Sequence, residues 1–225
     1  MAALGGCRMA IGLLSAGIVA LGTGTAALAH PHVWIEARTD AVFDAGGRLE
    51  AVNVEWRFDE YYSVTAVEGL DKNGNGEYEP EELLPLAREN LQSLREYRFF
   101  TQVKAAGKPV DYADVTEYGS FFKDGQLTLY FTVPMAKPVD PSTSQLEYQL
   151  YDPTFYIAVE LAAKNPVELL GTPPAACKVA ILGSIAEADA DKSEEFYAKL
   201  SAADDIGALY AQRIDIACPR KTAAQ

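Results

Sequence analysis

The chain has 225 residues and a formal net charge of −13, with 32 acidic residues against 19 lysines and arginines. That balance excludes nucleic acid and anionic lipid as natural partners and is compatible with cations. With 49% hydrophobic residues the chain is long enough to build a sizeable core.

Residues 1–29 describe an export signal. A single charge, Arg8, precedes an apolar stretch from Ile11 to about Leu21, and small residues then lead to Ala27-Leu28-Ala29, an A-x-A cleavage pattern. The apolar run is short for a membrane anchor and is closed by Gly22, Thr23, Gly24 and Thr25. Leu4-Gly5-Gly6-Cys7 lies before the apolar region, where a lipoprotein box does not function. Cleavage would leave a single periplasmic domain, 30–225, more acidic by one charge, with His30 as its first residue.

Beyond the leader the chain reads in order. Val33, Ile35, Ala37, Ala41 and Phe43 alternate with His32, Trp34, Glu36, Arg38 and Asp40, the period of a half-buried strand. Asp44-Ala45-Gly46-Gly47-Arg48 supplies a turn, and Val52, Val54, Trp56 and Phe58 repeat the period, so a β-hairpin is expected. A helical insertion follows at about 60–98, interrupted by Asp71-Lys72-Asn73-Gly74-Asn75-Gly76. Short apolar runs come next: Phe99 to Val103, Phe121 to Phe122, Leu127 to Val133, Leu146 to Tyr151, Phe155 to Leu161 and Val179 to Leu182. Their spacing predicts a small antiparallel sheet or sandwich, with Lys123-Asp124-Gly125-Gln126 as its clearest hairpin turn. Glu194 to about Gln212 has helical periodicity, and Ile214, Ile216 and Cys218 alternate as a last strand. The expected class is therefore α+β: mainly antiparallel β with an EF-hand-like helix-loop-helix insertion and a C-terminal helix.

Residues 71–82 match the EF-hand loop at its diagnostic positions. Asp71, Asn73 and Asn75 offer side-chain oxygens at loop positions one, three and five. Gly76 makes the sharp turn, Glu77 offers its carbonyl, Tyr78 fills the apolar slot and Glu82 can bind bidentately at position twelve. The implied ligand is Ca2+. No second loop is present to pair with it, which favours a structural ion over a sensor. Pro85 predicts that the exiting helix starts near Leu84 or bends there.

Cys7 leaves with the signal, so Cys177 and Cys218 form an even pair in an oxidising compartment. A bridge closing a loop of about 40 residues stabilises by roughly 4 kcal/mol on the loop-entropy account. Paired thiolates as metal ligands are the alternative.

Both histidines of the chain sit in His30-Pro31-His32. A free α-amine at His30 and the two imidazoles make a compact nitrogen donor set for Zn2+, Ni2+, Co2+ or Cu2+. Pro31 has no N–H to deprotonate, which excludes the square-planar amine-X-X-His site. Glu36, Asp59, Glu60 and Asp152 are the candidate carboxylates to complete the shell, although Glu36 lies about 13 Å from His32 along a straight strand. The plainer alternative is two polar residues at a frayed terminus. No further histidine exists to complete a copper brace or a nucleophile-base pair, and no Gly-x-Ser-x-Gly elbow appears, so an enzyme is not expected.

His30-Pro31-His32-Val33-Trp34-Ile35, Trp56-Arg57-Phe58-Asp59-Glu60-Tyr61-Tyr62-Ser63, the 71–82 loop and Tyr151-Asp152-Pro153-Thr154-Phe155-Tyr156 resemble, in that order, an exported bacterial family of unknown function. That family is described as the periplasmic component of uncharacterised transport systems and is found beside NicO-type nickel/cobalt/zinc membrane transporters. The resemblance implies a periplasmic accessory that binds zinc, nickel or cobalt for an inner-membrane NicO-type partner, with His30 and His32 in the family motif. A calcium-stabilised interaction module without a transition metal is the alternative, its binding face drawn from Trp34, Tyr61, Tyr62, Phe121, Phe122 and Tyr156.

Overall fold

A computed structural model describes residues 31–184 and 205–219. The expected signal peptide, His30, and the first part of the expected C-terminal helix lie outside the described residues. The first hairpin forms as its alternation requires. β1 (Val33–Phe43) pairs antiparallel with β2 (Leu49–Phe58), and the odd-numbered residues Val33 to Phe43 face inward. The connection holds because Asp44 Oδ1 accepts from the N–H groups of Gly46 and Arg48, and Arg48 Nε donates to Asp44 Oδ2 at 2.8 Å. These bonds hold the Asp44 carboxyl below the usual range, those from Arg48 contributing most.

Two short helices follow. α1 (Glu60–Ala66) is capped by Asp59, whose side chain accepts from the Tyr62 N–H, and α2 (Pro80–Leu94) opens with Pro80 in its first turn and a reciprocal Glu79/Glu82 capping box. The expected start near Leu84 is corrected: capping favours a start at Pro80, and Pro85 removes one backbone donor inside the helix without ending it. Leu83, Ala87 and Leu91 form the buried stripe of α2, which packs against β5. Arg95–Phe100 continues as a tight turn in which Arg98, Phe99 and Phe100 take φ of 57°, 56° and 49°.

The remaining strands are β3 (Thr101–Ala105), β4 (Lys108–Pro109), β5 (Tyr118–Lys123), β6 (Gln126–Val139), β7 (Leu146–Leu150), β8 (Ile157–Leu161), β9 (Val167–Gly171), β10 (Lys178–Leu182) and, after the five-residue α3 (Ile206–Tyr210), β11 (Arg213–Ala217). The first sheet runs β5-β6-β2-β1-β8, with β9 also paired to β1, and the second runs β10-β11-β7-β3-β4. The fold is thus β-rich and mostly antiparallel, with few helices. The β5–β6 hairpin turns on Asp124 and Gly125 at φ 52° and 81°, as an Asp-Gly pair allows.

Two strands stand outside the antiparallel pairing that the expectation of a mainly antiparallel fold described. β8 and β9 both run parallel to β1, one beside each half of it: Val33 faces Ile157 and Thr39 faces Val167. The sequence also gave no sign of β9, because a short strand with exposed Glu168 and Leu170 carries little alternation.

The inner faces of both sheets enter one core. Trp56, 1% exposed, meets the Phe131 ring edge-on at 5.0 Å and stacks on Phe100 at 5.8 Å. Thr39 Oγ1 and the Tyr148 hydroxyl share a buried 2.7 Å hydrogen bond between the sheets. Cys177 and Cys218 form a disulfide at the end of the β10–β11 pair, where Lys178 faces Ala217. The metal-thiolate alternative for these two cysteines falls with that bond. The bridge accords with an oxidising compartment. Among the described residues no helix is long and apolar enough to cross a membrane.

Candidate functional site

The terminal site is described from Pro31 onward. His32 is not frayed: its N–H donates to the Tyr156 carbonyl at 2.9 Å, extending the β1–β8 pairing by one residue, and its ring lies 4.8 Å from that of Tyr156. The side chains of His32, Trp34 and Tyr156 are exposed, so they make an aromatic edge at one end of the first sheet.

Three of the four candidate carboxylates already have other work. Glu36 forms an ion pair with Arg57 at 2.8 Å. Asp59 accepts from Trp34 N–H and Tyr62 N–H. Asp152, buried at 3%, accepts from Thr154 N–H and Oγ1 and from Ile157 N–H, so it shapes the turn into β8. Glu60 is exposed in the first turn of α1. Around Trp34 the structure gathers Glu36, Arg57, Asp59, Gln126 and Glu160 in a cavity of about 330 Å3. Glu160 was not singled out from the sequence. Its signal was the alternation Ile157, Val159, Leu161, which sends Glu160 to the outer face, directly beside Glu36 in the parallel register. Among the described residues no three His, Cys, Asp or Glu side chains converge as a metal cluster.

The 71–82 loop is organised by its own oxygens. Asp71 Oδ1 accepts from Gly74 N–H at 2.7 Å and Asn75 N–H at 3.2 Å, and Oδ2 from Gly76 N–H at 2.9 Å. Asn73 Oδ1 and Asn75 Oδ1 accept from the N–H groups of Asn75 and Glu77. Glu82 reaches back across the loop, its Oε1 accepting from Lys72 N–H at 2.7 Å. Glu79 receives the amides of Asn73 and Asn75, and its carboxyl lies below the usual range, chiefly through its hydrogen bond with Glu82 and then that with Asn75. Gly74 and Gly76 take φ of 72° and 83°, conformations that a side chain would strain. Tyr78 docks the loop on the first sheet, edge-on to Phe122 at 5.0 Å. The side-chain acceptors that organise the loop are all oxygens.

Relatives agree in having no assigned role. An uncharacterised protein of Haemophilus influenzae is 28% identical over 198 residues, covering 85% of this chain and 92% of its own. An uncharacterised 15.5 kDa protein from the trpE 3' region of Spirochaeta aurantia is 30% identical over 114 residues, 51% of this chain and 81% of its own. Residues 15–218 match the family described as Protein of unknown function (DUF1007), and the chain belongs to that family.

Proposed function

We propose that this protein is an exported divalent-metal-binding accessory. Its EF-hand-like loop, 71–82, holds a stabilising Ca2+. The His30-Pro31-His32 segment, freed as a terminus, binds Zn2+, Ni2+ or Co2+ for an inner-membrane NicO-type transporter. The observation that carries the calcium half is the oxygen set of the loop: Asp71 and Glu82 close it from opposite ends, with the Asn73 and Asn75 oxygens between them and α1 and α2 on either side. Asp71, Asn73, Asn75, the Glu77 carbonyl and Glu82 would hold the ion, which would supply charge neutralisation and rigidity rather than chemistry. For the transition metal, support comes from an exposed His32 whose backbone is held by Tyr156, together with the motif resemblance.

A second reading, a calcium-stabilised interaction module, is favoured by one observation. Glu36, Asp59 and Asp152, three of the carboxylates expected to complete a transition-metal shell, are each engaged in other contacts of the fold.

Elemental analysis and N-terminal mass determination on untagged, exported protein separate the two. The first reading expects about one calcium and one zinc or nickel per chain, with His30→Ala plus His32→Ala losing only the latter. Asp71→Ala plus Glu82→Ala should lose calcium and its thermal protection, which at a hundredfold excess over Kd amounts to about 2.7 kcal/mol. Full zinc affinity in the double histidine variant would leave only the interaction module. Absence of any calcium-dependent melting shift sinks the calcium half.

A further inference from the structure

A further cleft lies at the C-terminal end of α2, with none of its lining residues drawn from the 71–82 loop or the His32 edge. Its volume is about 730 Å3, and it is lined by Arg88, Arg95, Arg98, Asp111, Asp114 and Tyr112 over an apolar floor of Leu91, Phe99 and Val115. That volume is in the range of small-molecule sites. Arg95 lies roughly 20 Å along the helix from Glu82, so the cleft and the calcium loop are separate places.

Three arginines meeting in a chain of net charge −13 are not explained by composition. Arg95 is neutralised by Asp114 at 2.6 Å, an exposed pair at the rim. Arg88 and Arg98 have no carboxylate within ion-pair distance among the described residues. Among the described residues the Arg88 side chain has one hydrogen bond, donated from Nε to the Tyr118 hydroxyl at 3.4 Å. Arg98 is set in place from several sides: Nη2 donates to the Val110 carbonyl at 2.6 Å, Nε donates to Gln102 at 3.1 Å, and the guanidinium lies 4.3 Å above the Tyr112 ring. Tyr112 is itself fixed, since its hydroxyl donates to the Thr101 carbonyl and accepts from Val103 N–H. Beyond these bonds and a side-chain hydrogen bond to Tyr112, the Arg98 guanidinium lines the cleft.

The backbone beneath is strained. Arg98, Phe99 and Phe100 are three successive non-glycine residues in the left-handed region, each costing roughly 1–2 kcal/mol. Burial of Phe99 and Phe100 offsets the strain and leaves Arg98 facing the cleft on a rigid support. An arginine held this way is pre-organised for planar, bidentate oxyanion recognition.

We propose that this cleft is a binding site for a small dicarboxylate, its two carboxylates taken by Arg88 and Arg98 and its aliphatic stem lying on Leu91, Phe99 and Val115. Asp111, at the same cleft, adds an acceptor for an ammonium group on an amino dicarboxylate.

Isothermal titration of the full processed protein with glutarate, L-glutamate and inorganic phosphate tests the site. Saturable binding of glutarate or L-glutamate is expected, weakened by about tenfold or more in Arg88→Gln and in Arg98→Lys, which keeps the charge but loses the planar fork. Arg88→Gln changes an exposed position on α2, so its melting curve should match the parent even if Arg98 variants fold poorly. The proposal fails if neither dicarboxylate binds up to about 10 mM. It also fails if Arg88→Gln binds as tightly as the parent, or if phosphate binds as well as the dicarboxylates, which would mark simple charge attraction.

Discussion

Trp34 and Asp59 hold each other by both backbone and side chain: Trp34 N–H donates to Asp59 Oδ2 at 3.0 Å, and Asp59 N–H donates to the Trp34 carbonyl at 2.9 Å. The other carboxylate oxygen, Oδ1, caps α1 through Tyr62 N–H at 2.9 Å. One aspartate thereby couples the start of β1, two residues after His32, to the helix that leads into the 71–82 loop.

Asp59→Ala removes the cap and the bond to Trp34 together and should lower stability by about 1–2 kcal/mol. Asp59→Asn keeps one acceptor oxygen and should lose about half as much. Chemical denaturation measures both, and an Asp59→Ala midpoint equal to the parent's would refute the coupling.

The Thr39–Tyr148 bond ties the two sheets at their centre. Tyr148→Phe leaves the Thr39 hydroxyl buried without that partner and should cost about 1–2 kcal/mol. Burial pushes the Tyr148 hydroxyl pKa well above its ordinary value, with the Thr39 bond opposing and Asp40 adding to the rise. A raised folded pKa gives stability that is complete below the unfolded value, about 10, and is lost as pH rises beyond it. The parent should therefore unfold more readily above about pH 10, and the phenylalanine variant should show a shallower alkaline loss in melting curves.

Asp40 shows the same sign in a carboxyl group. Its pKa is raised, first by desolvation and then by repulsion from Glu168, while a hydrogen bond from Asn53 pulls it down. The folded state therefore favours the protonated form, a contribution present below the unfolded pKa and lost as pH rises through the folded one. Asp40→Asn should be more stable than the parent at pH 7 by about 0.5 kcal/mol or less, since the group is only partly buried and solvent screens it. The gain should vanish below about pH 4. Equal gains at both pH values would show that charge is not the cause.

Local patterns carried much of this fold. The alternation of β1 and β2, the Asp124-Gly125 turn and the Cys177–Cys218 pair were legible because each depends on neighbours in sequence or on a single even pair of cysteines. Of the two readings offered at Pro85, the start near Leu84 gives way, because the Glu79/Glu82 box outweighs one missing donor. Among the candidate residues, those of the loop and His32 were singled out by spacing, whereas Glu160 and the arginine cleft left no such signal.

By itself, the amino-acid sequence determined the strand periods, the turn chemistry and the oxygen pattern at 71–82, all of which are short-range. Only the tertiary structure decided that β8 and β9 lie parallel on either half of β1, that Glu36, Asp59 and Asp152 are already engaged, and that Arg88 and Arg98 share a cleft. Parallel pairing needs crossover connections, and a cleft brings together residues from separate elements, so neither leaves a period in the chain. The left-handed turn at Arg98 to Phe100 belongs with them, because burial of two phenylalanines, not local preference, holds it.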